Sequence, residues 1–343
     1  MDPTKDITIY DIAKVLNISP ATVSRGLKDH PGISKDTKKK IVETAREMGY
    51  QRNLFAQNLR AKKTNTIGVI IPRLNSYFMS SVIAGVEKVA NERGYNLVIS
   101  QSRESAKKEI ENVNTMFNSR VDGLLISLSL ETEDIAYFST LLKKGIPIIL
   151  FDRVLKSDPC TMIVIDNIKA GYDATIHLLD QGCKRIVHIG ESFIRNVYAD
   201  RLTGYKQALK ERNIEIDPSL ILITDRSEQG GIETAQRILK MNPLPDGIFA
   251  VNDSTAVSCI RFLKQAGMKV PEQIAMVGFN NDPISQIIEP NLTTINYPGR
   301  EMGEVAATTL INAINRTTGT TLNTVVLRHE LIVRESSMRK ETH

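Results

Sequence analysis

Residues 8–25 run Thr8-Ile-Tyr-Asp-Ile-Ala-Lys-Val-Leu-Asn-Ile-Ser-Pro-Ala-Thr-Val-Ser-Arg25, and no other stretch narrows the fold as far. Thr8 is a good helix N-cap, and Asp11 sits three residues on, close to a capping box. Ile9, Ile12, Ala13 and Leu16 repeat at helical spacing, which predicts one apolar face. Asn17 tolerates the left-handed conformation that a tight helix-to-helix turn needs. Ser19 restarts the cycle as an N-cap, with Pro20 at the first helical position, where its missing N–H costs nothing. Val23 and Leu27 supply the buried side of the second helix. Two such helices form a helix-turn-helix, whose second helix can enter the DNA major groove. An ordinary helical hairpin is the alternative on this stretch alone.

The residues that follow bear on that choice. After a turn-rich loop, Ser34 is another N-cap, and Ile41, Val42, Ala45 and Met48 form an apolar helical face that ends at Gly49. This third helix would close a small core over Ile12, Leu16, Val23 and Leu27. Net charge over all 343 residues is only +5, but it is unevenly placed. Residues 1–63 hold 13 basic against 7 acidic side chains, an excess of +6, and the rest hold 31 against 32. The positive excess lies where phosphate contact requires it. Asn53 to Leu59 reads as a helix of about two turns, marginal alone in water. Leu59, apolar among polar neighbours, is either a staple onto the next domain or a wedge for a minor groove.

Together these motifs, T-I-Y-D-I-A, I-S-x-A-T-V-S-R, M-G-Y and N-x-x-A-x-x-L, resemble the head of the lactose repressor (LacI) family of bacterial transcription regulators. The match covers residues 8–60 without a gap. It implies a helix-turn-helix domain over 1–50 and a hinge helix with linker over 51–66, the hinge folding on operator DNA. By position, the resemblance puts Pro20, Ala21 and Arg25 at base-reading places. It puts Thr8, Tyr10, Ser19, Thr22, Ser24, Ser34, Thr37, Tyr50 and Asn53 at phosphate places, and Ala56 and Leu59 in the minor groove. Arg25 suits bidentate contact to guanine. Pro20 and Ala21 carry no hydrogen-bonding side chain, so thymine methyls or DNA deformability must carry part of the selectivity.

From residue 67 the pattern changes to short apolar runs alternating with amphipathic helices. Strands are predicted at 67–71, 97–100, 123–126, 146–151, 162–165, 186–189, 220–223, 247–251 and 275–279. Strict alternation means parallel sheets with right-handed crossovers, and nine strands suggest two α/β lobes. Ligands in such folds bind beyond the carboxyl ends of the strands. Those ends offer Tyr77 and Phe78, Ser127, Asp152 and Arg153, Asn196, Asn252 and Asp253, and Asn280. Amides, a carboxylate and aromatics together suit a polyhydroxylated ligand. For Asp253, capping of the next helix is the plainer reading.

The resemblance continues over the body in I-G-V-I-I-P, D-G-L-L-I, P-I-I-L-F-D-R, R-L-T-G-Y, V-N-D, V-G-F and L-T-T-I. It implies an all-α helix-turn-helix head plus an α/β periplasmic-binding-protein-like (type I) two-lobed effector domain over 67–340. In that family the residues matching Asp152, Arg201, Asn252 and Asp253 hold an effector, usually a sugar. Where many relatives carry Asp-Asp after Gly-Phe, this chain has Asn280-Asn281-Asp282, so ligand identity cannot be copied. The lobes are expected to exchange segments, with 67–160 and 293–322 in the first and 161–292 and 323–340 in the second. A homodimer on a near-palindromic operator is the expected assembly.

Other classes fare worse. No apolar run reaches a membrane span, and the N-terminus lacks a signal pattern, so a cytoplasmic, nucleoid-associated protein is expected. Cys160, Cys183 and Cys259 are scattered, reading as small core residues rather than metal ligands. No metal or cofactor is expected. Phosphate-loop, nucleophile-elbow and zinc-protease motifs are missing, which argues against an enzyme. A sugar-binding receptor without a DNA role is the alternative, and the basic head counts against it.

Overall fold

The computed structural model describes residues 7–50, 63–155, 160–316 and 322–339. They form two compact units that part between Thr64 and Asn65. Asn53, Ala56 and Leu59 lie outside the described residues.

In the first unit, α1 (Ile9–Leu16), α2 (Pro20–Leu27) and α3 (Lys35–Glu47) enclose a core of Ile12, Ala13, Val23, Ile41 and Ala45. The Thr8 backbone N–H donates to Asp11 Oδ2 at 2.8 Å, which ties down the entry of α1. Asn17 turns the chain at φ 52°, the left-handed conformation that its side chain tolerates. Ser19 Oγ then accepts from Thr22 N at 3.1 Å and Ser34 Oγ from Thr37 N at 3.2 Å, so each following helix has its cap. Val42 departs from expectation: it is 53% exposed, because only Ile41 and Ala45 of α3 point inward.

The second unit holds two six-stranded sheets. Its elements run β1 (Thr66–Ile71), α4 (Tyr77–Glu92), β2 (Asn96–Gln101), α5 (Ala106–Asn118), β3 (Gly123–Ile126) and α6 (Ser139–Lys143). There follow β4 (Ile148–Phe151), β5 (Thr161–Ile165), α7 (Asn167–Asp180), β6 (Ile186–Gly190), α8 (Asn196–Glu211), β7 (Ile221–Ile223) and α9 (Glu228–Leu239). The chain ends with β8 (Gly247–Ala250), α10 (Asp253–Gln265), β9 (Ala275–Asn280), β10 (Thr293–Asn296), α11 (Gly299–Asn315), β11 (Thr324–Leu327) and β12 (Glu330–Ile332).

Sheet order in the first lobe is β11-β5-β4-β3-β1-β2, and in the second β12-β10-β9-β8-β6-β7. All pairings are parallel except β10 with β12. Central strands are apolar throughout, Leu124, Leu125, Ile126, Ile149 and Leu150 among them, as burial on both faces demands.

The exchange points differ from those expected at 160/161, 292/293 and 322/323. β5 pairs with β4, and β11 pairs with β5 from Thr324↔Met162 onward, so both belong to the first lobe. β10 pairs with β9 and belongs to the second. The chain therefore crosses between lobes in the short connections after β5, β10 and β11, where no ladder hydrogen bond has to be broken.

In both lobes glycines let helix backbones come into close contact. A Cβ on Gly303 of α11 would lie 2.0 Å from Val82 O of α4. One on Gly171 of α7 would lie 2.3 Å from Arg201 O of α8, so only glycine lets Arg201 sit where it does.

Candidate functional site

The head presents its expected contact residues from helix ends. Ser19 and Ser34 are exposed N-caps, Thr8 and Tyr10 open α1, and Tyr10 is 66% exposed. Thr22 and Thr37 share their hydroxyls with the caps, at 2.8 Å each. Such helix N-termini carry partial positive charge and free N–H groups, suited to phosphate. Ala21 and Arg25 are exposed on α2, with Pro20, Ser24 and Tyr50 half-buried. A Cβ on Gly26 would strike Ile41 Cδ1 at 2.4 Å, so α2 lies tightly on α3 with Arg25 beside that contact, facing out.

In the body, Phe78, Asp152, Arg201, Asn252 and Asn280 come together around one cleft. Phe78, at the start of α4, stacks on Tyr297 with ring centroids 4.1 Å apart. Asp152 takes a left-handed backbone (φ 59°) that turns its carboxylate away from solvent. There it accepts from Tyr297 Oη at 2.8 Å and Ser127 Oγ at 3.0 Å. Burial and the neighbouring Asp152 carboxylate push the Tyr297 hydroxyl well above its ordinary value, so it stays a donor.

Arg201 lies 3.4 Å over the Phe279 ring, and its Nε donates to Asn167 Oδ1 at 2.9 Å and its Nη1 to Val251 O at 3.2 Å. Among the described residues it forms no ion pair, and burial lowers its pKa. A guanidinium held by neutral acceptors and an aromatic face keeps charge available to a ligand. Asn252 Oδ1 caps α10 by accepting from Thr255 N, and Asn280 ends β9 at φ 110°.

Four other expected residues stand elsewhere. Tyr77 is 56% exposed and outside the cleft wall. Ser127 is buried behind Asp152, whose carboxylate it orients. Asn196 joins the lobes, donating to Asp152 O at 3.2 Å and accepting from Val154 N at 3.0 Å. Asp253 is wholly buried, accepting from Thr294 Oγ1 at 2.6 Å and Asp282 N at 2.7 Å. Its carboxylate anchors the Asn280–Asp282 loop, and burial pushes its pKa well above the usual range.

The cleft also holds Arg153, expected from its place after β4, and Arg73, Glu104, Tyr198, Arg226 and Tyr297, none of which the sequence pattern marked as binding residues. Glu104 accepts from guanidiniums of Arg73, Arg153 and Arg226. Burial opposes its charge, but Arg153 and its neighbours win and hold the carboxyl below the usual range. The only signal for these residues was position near strand ends, shared with many solvated side chains.

Comparison with known proteins agrees with both halves. The family of bacterial regulatory proteins, lacI family, matches residues 8–53, and the periplasmic binding protein-like domain matches residues 175–337. The HTH-type transcriptional regulator RegA of Clostridium saccharobutylicum is 34% identical over 96% of this chain and 99% of its own. The transcriptional regulator CelR in complex with cellobiose is 28% identical, with a TM-score of 0.73, covering 96% of this chain and 99% of CelR. The lac repressor dimer bound to operator and the anti-inducer ONPF is 24% identical with a TM-score of 0.87, over 97% of this chain and 100% of that one, and so shares the fold. With a relative this similar from end to end, the chain belongs to the lacI family of bacterial regulatory proteins and is a DNA-binding transcriptional regulator.

Proposed function

We propose that this regulator is a repressor that binds a near-palindromic operator as a homodimer, with a carbohydrate in the interlobe cleft setting its operator affinity. One observation carries the reading: a single chain joins a helix-turn-helix head to a two-lobed cleft lined by Phe78, Asp152, Arg201, Asn252 and Asn280. Stacked rings suit sugar faces, and paired amide, guanidinium and carboxylate groups suit hydroxyls. CelR, similar over its whole length, is described in complex with cellobiose. A single head covers one half-site, so two chains must meet on the operator. The site of action is the bacterial cytoplasm, at the nucleoid while the protein is bound.

Operator selection from random duplexes, followed by gel shift with and without a sugar panel that includes cellobiose, tests this. The expected result is one near-palindromic site, bound with strong salt dependence, whose shift changes with at least one sugar. Equal binding to all sequences would sink the DNA reading. Operator binding indifferent to every sugar, together with no sugar-induced rise in melting temperature, would sink the effector reading.

A further inference from the structure

The cleft just assigned to an effector has only about 60 Å³ of free space. That holds a few waters, against roughly 300–1,000 Å³ in ordinary small-molecule sites. What fills it is an ionic cluster that crosses between the lobes.

Glu104 comes from the loop after β2 in the first lobe. Its Oε2 accepts from Arg153 Nη1 at 2.6 Å and Leu130 N at 3.2 Å. Its Oε1 accepts from Arg73 Nε and from Arg226 Nη2, both at 3.1 Å. Arg73 and Arg153 share its lobe, but Arg226 belongs to the second, so this one carboxylate ties the lobes together. Arg226 Nε in turn lies 2.6 Å from Glu191 Oε2, and Arg153 Nη2 donates to Tyr198 Oη at 2.9 Å across the same gap. Both partners of the crossing pair sit in left-handed backbone, Glu104 at φ 65° after Arg103 at φ 54°, and Arg226 at φ 63°. For residues with a Cβ this conformation is strained, and it persists only where surrounding contacts impose it.

We propose that Glu104 is a built-in latch: its carboxylate, gripping Arg226 across the cleft, holds the lobes shut in place of an effector. An effector then has to part Glu104 from Arg226 before the cleft can admit it. This rests on the reading of the cleft as the effector site, while the latch itself is measured without any ligand.

The test uses the full-length chain, ligand-free, with nitroxide labels at Lys107→Cys and Gln229→Cys, one exposed position on each lobe. Cys160, Cys183 and Cys259 are buried, so labelling stays at the new sites. Double electron–electron resonance on labelled protein diluted into unlabelled protein reports the interlobe distance. The expected result is one short-distance population in the parent and a shift toward longer distances in Glu104→Gln and Arg226→Gln. Any sugar that binds the parent should bind Glu104→Gln more tightly, by the factor by which the open fraction rises. An unchanged distance distribution in Glu104→Gln overturns the latch, whether or not Arg226→Gln opens. Should Glu104→Gln fail to fold, Arg226→Gln decides alone. A parent that no sugar stabilises would instead sink the effector reading and leave the distance result standing.

Discussion

The head and the cleft solve opposite problems with the same kinds of side chain. In the head a core of five small and medium residues holds the helices, and the expected contact residues that are described lie exposed or half-buried around it. In the cleft the contact residues are themselves the interior: Arg201 is 4% exposed, Arg153 2% and Asp152 5%. Function and folding are therefore separable in the head and entangled in the cleft. Apart from the caps Ser19 and Ser34, a surface residue of the head can be replaced at little cost in stability, whereas a cleft residue supports the lobes as well as the ligand.

Arg201 tests that entanglement most severely. Replacement by Met keeps much of the volume over Phe279 while removing the charge and both hydrogen bonds, to Asn167 and Val251. A charge-assisted hydrogen bond contributes roughly 1.5–3 kcal/mol, so losing one to a sugar hydroxyl weakens binding by about 10- to 150-fold. The sugar-induced melting shift and the operator response should both vanish, with operator binding itself kept. Loss of operator binding too, seen by gel shift, would break the comparison by showing that the cleft holds up the whole chain.

The same contrast explains what could be read from sequence. Head residues are named by local rules, since a cap, a left-handed Asn17 and a proline at the first helical position each act within four residues of chain. Cleft residues such as Phe78, Asn252 and Asn280 were legible because they follow strands whose apolar runs are plain. Glu104, Arg226 and Tyr198 were not. They reach the cleft through left-handed loop residues or from the far lobe, and no local pattern specifies either. Strands β10, β11 and β12 escaped for a related reason. Each is only three or four residues long, and β11 and β12 lie largely exposed at sheet edges, so no apolar run marks them.

Buried carboxyls give the body a pH response that the head should lack. Burial pushes Asp282 up to about 6 from 3.8, and among the described residues its Oδ1 has no hydrogen-bond partner. A carboxyl raised in the fold costs stability above its folded pKa, and the cost disappears below the unfolded one. The body should thus gain up to about 3 kcal/mol from this group as pH falls from 7 to 4, at 1.36 kcal/mol per unit. Glu104 works in the opposite direction: lowered in the fold, it contributes at neutral pH and loses that contribution on acidification. Asp282→Asn should raise the melting temperature at pH 7 and leave it unchanged near pH 4. Equal gains at both pH values would mean that shape rather than charge is responsible.

Arg25 should show the least effect on folding and a clean one on selectivity. It stands exposed on α2, where surface substitutions usually move stability by no more than about 0.5 kcal/mol. If it reads guanine through two hydrogen bonds, Arg25→Ala costs roughly 1–3 kcal/mol against the preferred operator and little against a site altered at that base pair. Arg25→Lys keeps the charge but not the planar fork, so it should recover non-specific affinity and not the discrimination. A phosphate contact would behave differently, weakening all sequences alike and lowering the salt slope by about one. Binding curves for both variants on both sites, at two salt concentrations, separate the two roles. A uniform loss would move Arg25 among the positioning residues, leaving the head to read its operator chiefly through methyl contacts and DNA shape at Pro20 and Ala21.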